Sequence, residues 1–132
     1  NFVHIASNCH LSCTGGIILN SFTGLSQGVR VYSSTDDYSG KSLTNPTIPS
    51  AYLKTIVKPV NIGKHVIIGS GSVILPGVSI GMGSSVGALS LVTKSLNEWG
   101  VYFGRPVKKL KNRNKNLLEE EKKLMKSITN IA

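Results

Sequence analysis

From Ile62 to Val92 an aliphatic residue returns at every sixth position: Ile62, Ile68, Ile74, Ile80, Val86 and Val92. An amphipathic helix repeats its apolar face at three and four residues and a strand at two, so six fits neither. The residue four places further on is small or aliphatic each time (Val66, Ser72, Val78, Ser84, Ser90 and Leu96), and glycine follows the aliphatic residue at Gly63, Gly69, Gly81 and Gly87. This spacing is satisfied by a coil with three short flat sides, six residues to a side. The aliphatic residue of each side points inward and stacks on its counterpart one coil, about eighteen residues, later, with coils at the strand spacing of roughly 4.8 Å. Small residues at the fourth place let the chain turn a corner, and glycine relieves strain where the bend demands unusual dihedrals.

The period also runs earlier in the chain. Ile5 and Leu11 are six apart, and Leu19, Leu25 and Val31 resume it after a step of eight, so Thr14, Gly15 and Gly16 read as a corner bulge. Residues 38–58, rich in Ser, Thr and Pro, break the register and predict a protruding loop; long loops inside repeat domains are usually functional. The repeat ends near Leu96. Residues 101–110 read as an extended tail carrying Gly104, Arg105 and Pro106, and Leu117, Leu118, Leu124, Met125 and Ile128 predict a terminal amphipathic helix over 114–131. The expected organisation is thus an all-β parallel β-helix over 1–103, with an N-terminal coil or segment expected before Asn1, and a basic tail plus helix over 104–132.

The formal net charge is +9, and Arg105, Lys108, Lys109, Lys111, Arg113 and Lys115 crowd one stretch. Such a cluster suits a phosphate-bearing ligand. No apolar run approaches a membrane span, and no signal peptide opens the chain. Two cysteines, Cys9 and Cys13, are too few for a disulfide framework, so a cytoplasmic setting is the default. Nucleic acid is not an expected partner.

The segments 62–81 and 86–94 resemble the hexapeptide acyltransferase family, and within it the chain is similar to maltose/galactoside-type sugar O-acetyltransferases and to the acetyltransferases of bacterial O-antigen and capsule gene clusters. That resemblance implies a left-handed β-helix and a homotrimer with acetyl-CoA in the groove between subunits. It further implies that the backbone around Ser70, Gly87 and Ala88 lines the pantetheine arm. Thr93, Lys94, Arg105 and Lys108 match the region where the family holds the adenine and 3′-phosphate. Basic side chains and open N–H groups are natural partners for a phosphomonoester.

One departure matters. In the maltose/galactoside enzymes a histidine acts as general base on the sugar hydroxyl, and the register on Leu19, Leu25 and Val31 puts Asp36 in its place. An alcohol needs that help because it is a poor nucleophile until its proton is being removed. Three arrangements answer the loss. Asp36 or Asp37 takes the slot as base, with a pKa raised if desolvated. Alternatively His10, or less favourably His4, reaches in from another side or subunit. Or the acceptor is an amine, which attacks a thioester unaided. His65, at a corner of a regular repeat, reads as structural. Cys9, Cys13, His4 and His10 invite a zinc site, but Cys9 faces inward while His10 and Cys13 face elsewhere, so no metal is expected.

The first expectation is therefore acetyl-CoA-dependent O-acetylation of a sugar, free or nucleotide- or lipid-linked, in surface-polysaccharide synthesis such as lipopolysaccharide. The alternative is N-acetylation of a nucleotide-linked amino sugar. A metal-dependent hydratase and a non-catalytic β-helix scaffold rank behind both.

Overall fold

The computed structural model describes residues 1–131; Ala132, the last residue of the expected tail-and-helix segment, lies outside the described residues. The strands are β1 (His4–Ile5), β2 (His10–Ser12), β3 (Ile17–Leu19), β4 (Gly24–Leu25), β5 (Arg30–Tyr32), β6 (Ser34–Thr35), β7 (Ile56–Val57), β8 (Val60–Ile62), β9 (Ile67–Ile68), β10 (Val73–Ile74), β11 (Ser79–Ile80), β12 (Ser85–Val86), β13 (Leu91–Val92), β14 (Gly100–Gly104) and β15 (Val107–Asn112), followed by helix α1 (Leu117–Ile131). They sort into three parallel stacks that a single winding chain visits in turn. Face A carries β1, β4, β9, β12 and β14; face B carries β2, β5, β10 and β13; face C carries β3, β8 and β11.

The six-residue period becomes vertical columns of inward side chains. On face A, Ile5, Leu25, Ile68, Val86 and Tyr102 are stacked partners. Leu11, Val31, Ile74 and Val92 do the same on face B, and Leu19, Ile62 and Ile80 on face C, where an isolated bridge adds Leu96. From Leu25 to Val92 these side chains are almost wholly buried in one cluster, with Leu11, Leu19 and Leu96 partly buried against it. Each stabilises the fold by about 1.5–3 kcal/mol relative to exposure. The fourth-place residues fill the corners, and the polar ones are bonded there. The Ser72 hydroxyl donates to the Gly87 carbonyl (3.0 Å) and accepts from the Ser90 N–H (3.2 Å). Ser84 donates to the Asn97 carbonyl. Buried hydroxyls thus satisfy corner groups that the strand ladders leave out.

Gly69 shows why glycine follows the inward residue: a Cβ there would overlap the backbone of Ala88 in the next coil. At the bulge, Gly16 takes φ 89° and the Gly15 N–H donates to the Ser33 hydroxyl (2.8 Å), so the longer first coil still seats on the second.

Two expectations change in detail. The excursion expected over 38–58 leaves the coil at Asp36 and returns at Thr55, because β6 and β7 pair antiparallel and close its neck. The stretch expected as an extended tail folds back: β15 pairs antiparallel with β14 on face A, so Arg105 and Pro106, joined by a cis peptide bond, form a hairpin tip.

One corner column is aromatic. Phe2, Phe22, His65 and Trp99 each stand three residues before a face A inward residue, all at φ between 55° and 61°. Phe2 stacks on Phe22 (4.9 Å between centroids) and Phe22 on His65 (4.8 Å). Gly83 completes the column, since the Trp99 indole lies where its side chain would be. Helix α1 covers this corner through Glu121, whose carboxylate accepts from Lys64 Nζ and pairs with His65 Nε2 at 2.6 Å. His65 is therefore a buried anchor for the helix rather than a polar surface residue. Hydrogen bonds from Lys64, then His65, hold the Glu121 carboxyl below its ordinary value of 4.5.

Candidate active site

A cavity of about 760 Å³ opens on the outside of face B where the excursion leaves the coil. Its lining has two characters. Tyr32, Leu75, Pro76 and Leu91 form an apolar floor from outward positions of successive coils. Ser34, Thr35, Asp36 and Thr55 form a polar wall at the neck, and Tyr38 flanks the mouth. Alternation explains the floor: Tyr32 and Leu75 directly follow inward Val31 and Ile74, and Leu91 directly precedes inward Val92, so all three face out. A concave site with an apolar base and a few convergent polar groups is the usual form of a small-molecule pocket.

Asp36 is half-buried in this wall. One of its oxygens accepts a long bond from the Asn45 N–H (3.3 Å), and the other has no protein partner among the described residues. Asp37 differs. Its two oxygens accept from the Ser39 N–H and the Ser42 hydroxyl, both at 2.9 Å, and only 8% of its surface is exposed. Hydrogen bonds from Ser39, then from Ser42, with the Lys54 charge adding, hold its carboxyl below the usual 3.8 against the opposing effect of burial. A carboxylate so engaged organises the loop, and it is a poor proton acceptor.

The two candidate histidines are far from equivalent. His4 is exposed on face A, beside Gly24 of the next coil. His10 is exposed on face B, and its ring lies 5.6 Å from that of Tyr32, but Tyr32 and not His10 lines the cavity. Cys9 turns inward and donates to the Ser26 carbonyl, away from His10 and from exposed Cys13. Among the described residues no three His, Cys, Asp or Glu side chains gather to hold a metal ion.

The residues implicated in cofactor binding fall into two groups. Ser70, Gly87 and Ala88 lie at the corner between faces A and B. The hairpin bearing Arg105 and Lys108 is tied there, with the Phe103 ring over Gly87 and the Gly104 N–H donating to Ser90 Oγ (3.1 Å). Exposed Thr93 and Lys94 instead follow β13, across face B at its junction with face C. Within one chain the cavity and Thr93 lie at one end of face B, and the basic hairpin at the other. Sequence reasoning missed Tyr32, Ser34, Thr35, Thr55, Leu75, Pro76 and Leu91; inward–outward alternation applied to face B was the signal for the floor.

A family model described as bacterial transferase hexapeptide (six repeats) matches residues 59–94. The chain is 41% identical to the serine-to-cysteine variant of AntD, an N-acyltransferase from Bacillus cereus solved with dTDP-4-amino-4,6-dideoxyglucose and coenzyme A. The match covers 96% of this chain and 68% of that one, with a TM-score of 0.92. The chain belongs to the hexapeptide-repeat acyltransferase family. Other solved forms of the Bacillus enzyme carry 3-hydroxybutyryl-CoA, or an alanine in place of an aspartate ten residues beyond the altered serine. An Escherichia coli dTDP-4-amino-4,6-dideoxy-D-glucose acyltransferase is 39% identical over 121 residues, 92% of this chain, and the chain spans 63% of that relative's length. A maltose O-acetyltransferase from Clostridium difficile is 23% identical with a TM-score of 0.65 and shares the fold. Close relatives are thus acyltransferases that act on sugars and use CoA-linked donors. Among the described residues no helix is long and apolar enough to cross a membrane.

Proposed function

We propose that this chain transfers an acyl group from coenzyme A to the amine of a nucleotide-linked amino sugar. The observation that carries this reading is the cavity wall: among the described residues Asp36 stands there with one carboxylate oxygen unpartnered, and no imidazole lines the cavity. Transfer to a hydroxyl, the first expectation, calls for a base strong enough to remove the proton as attack begins, and a carboxylate is a weak base beside an imidazole. An amine needs no such activation. Its nitrogen lone pair attacks the thioester carbonyl, the C–N bond forms and the C–S bond breaks. The nitrogen becomes acidic only as that bond forms, so Asp36 accepts the proton late and passes it to the departing thiolate, giving an amide and free CoA.

The relatives support this reading. The Bacillus cereus enzyme was altered at a serine and at an aspartate ten positions later, and this chain, whose only aspartates are Asp36 and Asp37, places Ser26 ten residues before Asp36. Ser26 sits at the A–B corner and Asp36 beyond the opposite edge of face B, so the two meet in one site when a second copy packs alongside. A homotrimer supplies that arrangement, with the basic hairpin and the Ser70, Gly87 and Ala88 corner of one subunit binding the donor beside the cavity of the next. The donor is acetyl-CoA or a somewhat longer acyl-CoA, for which the apolar floor has room.

The test is thiol release from acetyl-CoA and from 3-hydroxybutyryl-CoA with a dTDP-linked 4-amino-4,6-dideoxy sugar and, separately, with its 4-hydroxy counterpart. Release with the amine alone is expected, and His10→Ala should stay within about twofold of wild type. Equal release with the hydroxy sugar, or dependence on His10, sinks the amine reading.

A further inference from the structure

Tyr38 is 91% exposed at the cavity mouth, two residues from Asp36. Its ring is open to solvent, yet the turn bearing it is one of the most tightly bonded parts of the excursion. Asp37, the residue before it, accepts the Ser39 N–H on one oxygen and the Ser42 hydroxyl on the other, while the Lys41 N–H donates to Ser39 Oγ. A second tie holds the stem of the same loop, where Leu43 bridges Leu53 and its N–H donates to the Tyr52 carbonyl (3.1 Å). An ordered turn that presents an aromatic ring to solvent beside a half-polar cavity has the form of a recognition device, because binding then immobilises little further chain.

We propose that Asp37 is a positioning residue: it fixes the 37–42 turn so that the Tyr38 ring stands over the cavity and stacks on the apolar C–H face of the acceptor's pyranose ring. This rests on the amino-sugar reading above for the identity of the acceptor. Asp36 would hold the acceptor's reacting group, the Ser34, Thr35 and Thr55 hydroxyls its oxygens, and Tyr38 its upper face, with Leu75, Pro76 and Leu91 beneath. Asp37 touches none of these groups and acts only through the turn. Asp36 and Asp37, adjacent in sequence and alike in chemistry, are thereby divided into a contact residue and a positioning one.

The test is steady-state kinetics of the full chain with the dTDP-linked amino sugar, varying each substrate in turn. Tyr38→Ala and Asp37→Ala should each raise the acceptor KM about tenfold, leaving the KM for acyl-CoA unchanged and kcat within about threefold. The double variant should be no worse than Tyr38→Ala alone, because Asp37 works through that ring. Asp37→Asn, which keeps an acceptor for the Ser39 N–H, should lie between wild type and Asp37→Ala, and it serves as the second variant if the alanine protein melts early. Additive effects of the two alanine substitutions, or an unchanged acceptor KM in Tyr38→Ala, overturn the proposal. If wild type acylates only the hydroxy sugar, the amine reading falls by itself, and the Asp37–Tyr38 coupling is then judged by the same criteria on the KM of that acceptor.

Discussion

Between Val60 and Val86 every strand is two or three residues long, yet each is bonded to the coil above and the coil below, and its inward side chain is buried. The excursion over 36–55 joins the coil only at a two-rung neck and is otherwise held by its own polar bonds: Asp37 to Ser39 and Ser42, Asn45 to Asp36 and Thr47, Leu43 to Tyr52. The coil is stabilised by neighbours distant in sequence, and the excursion by neighbours a few residues away. A substitution in the coil therefore propagates through its stacked turns, whereas one in the excursion stays local. On the proposed function, stability and recognition are carried by different residues, which leaves the excursion free to vary without dismantling the scaffold.

This contrast breaks most severely at Gly69. Gly69→Val forces a side chain into the backbone of Ala88, and a loss above about 3 kcal/mol is expected, read as a collapse of the thermal transition. Ile74→Ala should follow with about 2–5 kcal/mol, since Ile74 is wholly buried in the column between Val31 and Val92 and its loss leaves a cavity there. In the excursion the order reverses. Asp36→Asn should leave the melting temperature within a degree or two and lower kcat/KM about a hundredfold; a large drop in melting temperature would erase the proposed division.

Acid should separate the regions most gently. Asp37 and Glu121 both have folded-state pKa values depressed below 3.8 and 4.5 respectively. Their contribution is fully present above those ordinary values and is lost as pH falls through the lower folded ones. Hydrogen exchange should accordingly speed up in the excursion and in α1 below about pH 4 while the amides of β8 to β13 stay protected. Simultaneous loss of protection in all three would show that the local bonds do not act locally.

Much of the scaffold was legible because the repeat is a local pattern with a global consequence. Ile62, Ile68 and Ile74 each declare the inward direction, and once three sides close, the burial of Ser72, Ser84 and Ser90 follows. The hairpin of β14 and β15 was not legible, since the residues around Arg105 and Pro106 carry no six-residue signal and read as merely extended. Nor was the contact of Glu121 with Lys64 and His65, which joins positions more than fifty residues apart. In the candidate site the register put Asp36 in the place of the family's histidine but did not separate it from Asp37, and the resemblance grouped Thr93 and Lys94 with Arg105 and Lys108, which stand at opposite edges of face B within one chain.

By itself, then, the sequence determined the coil, its three sides, its corners and the place where the chain leaves it, because period and residue size act through nearest neighbours in the stack. Only the tertiary structure decided which aspartate faces the cavity, which of the histidines anchors a helix, and that the cavity and the basic hairpin stand at opposite edges of face B. Those outcomes depend on where a loop folds back and which way a corner turns, and they are set by contacts between residues far apart in the chain.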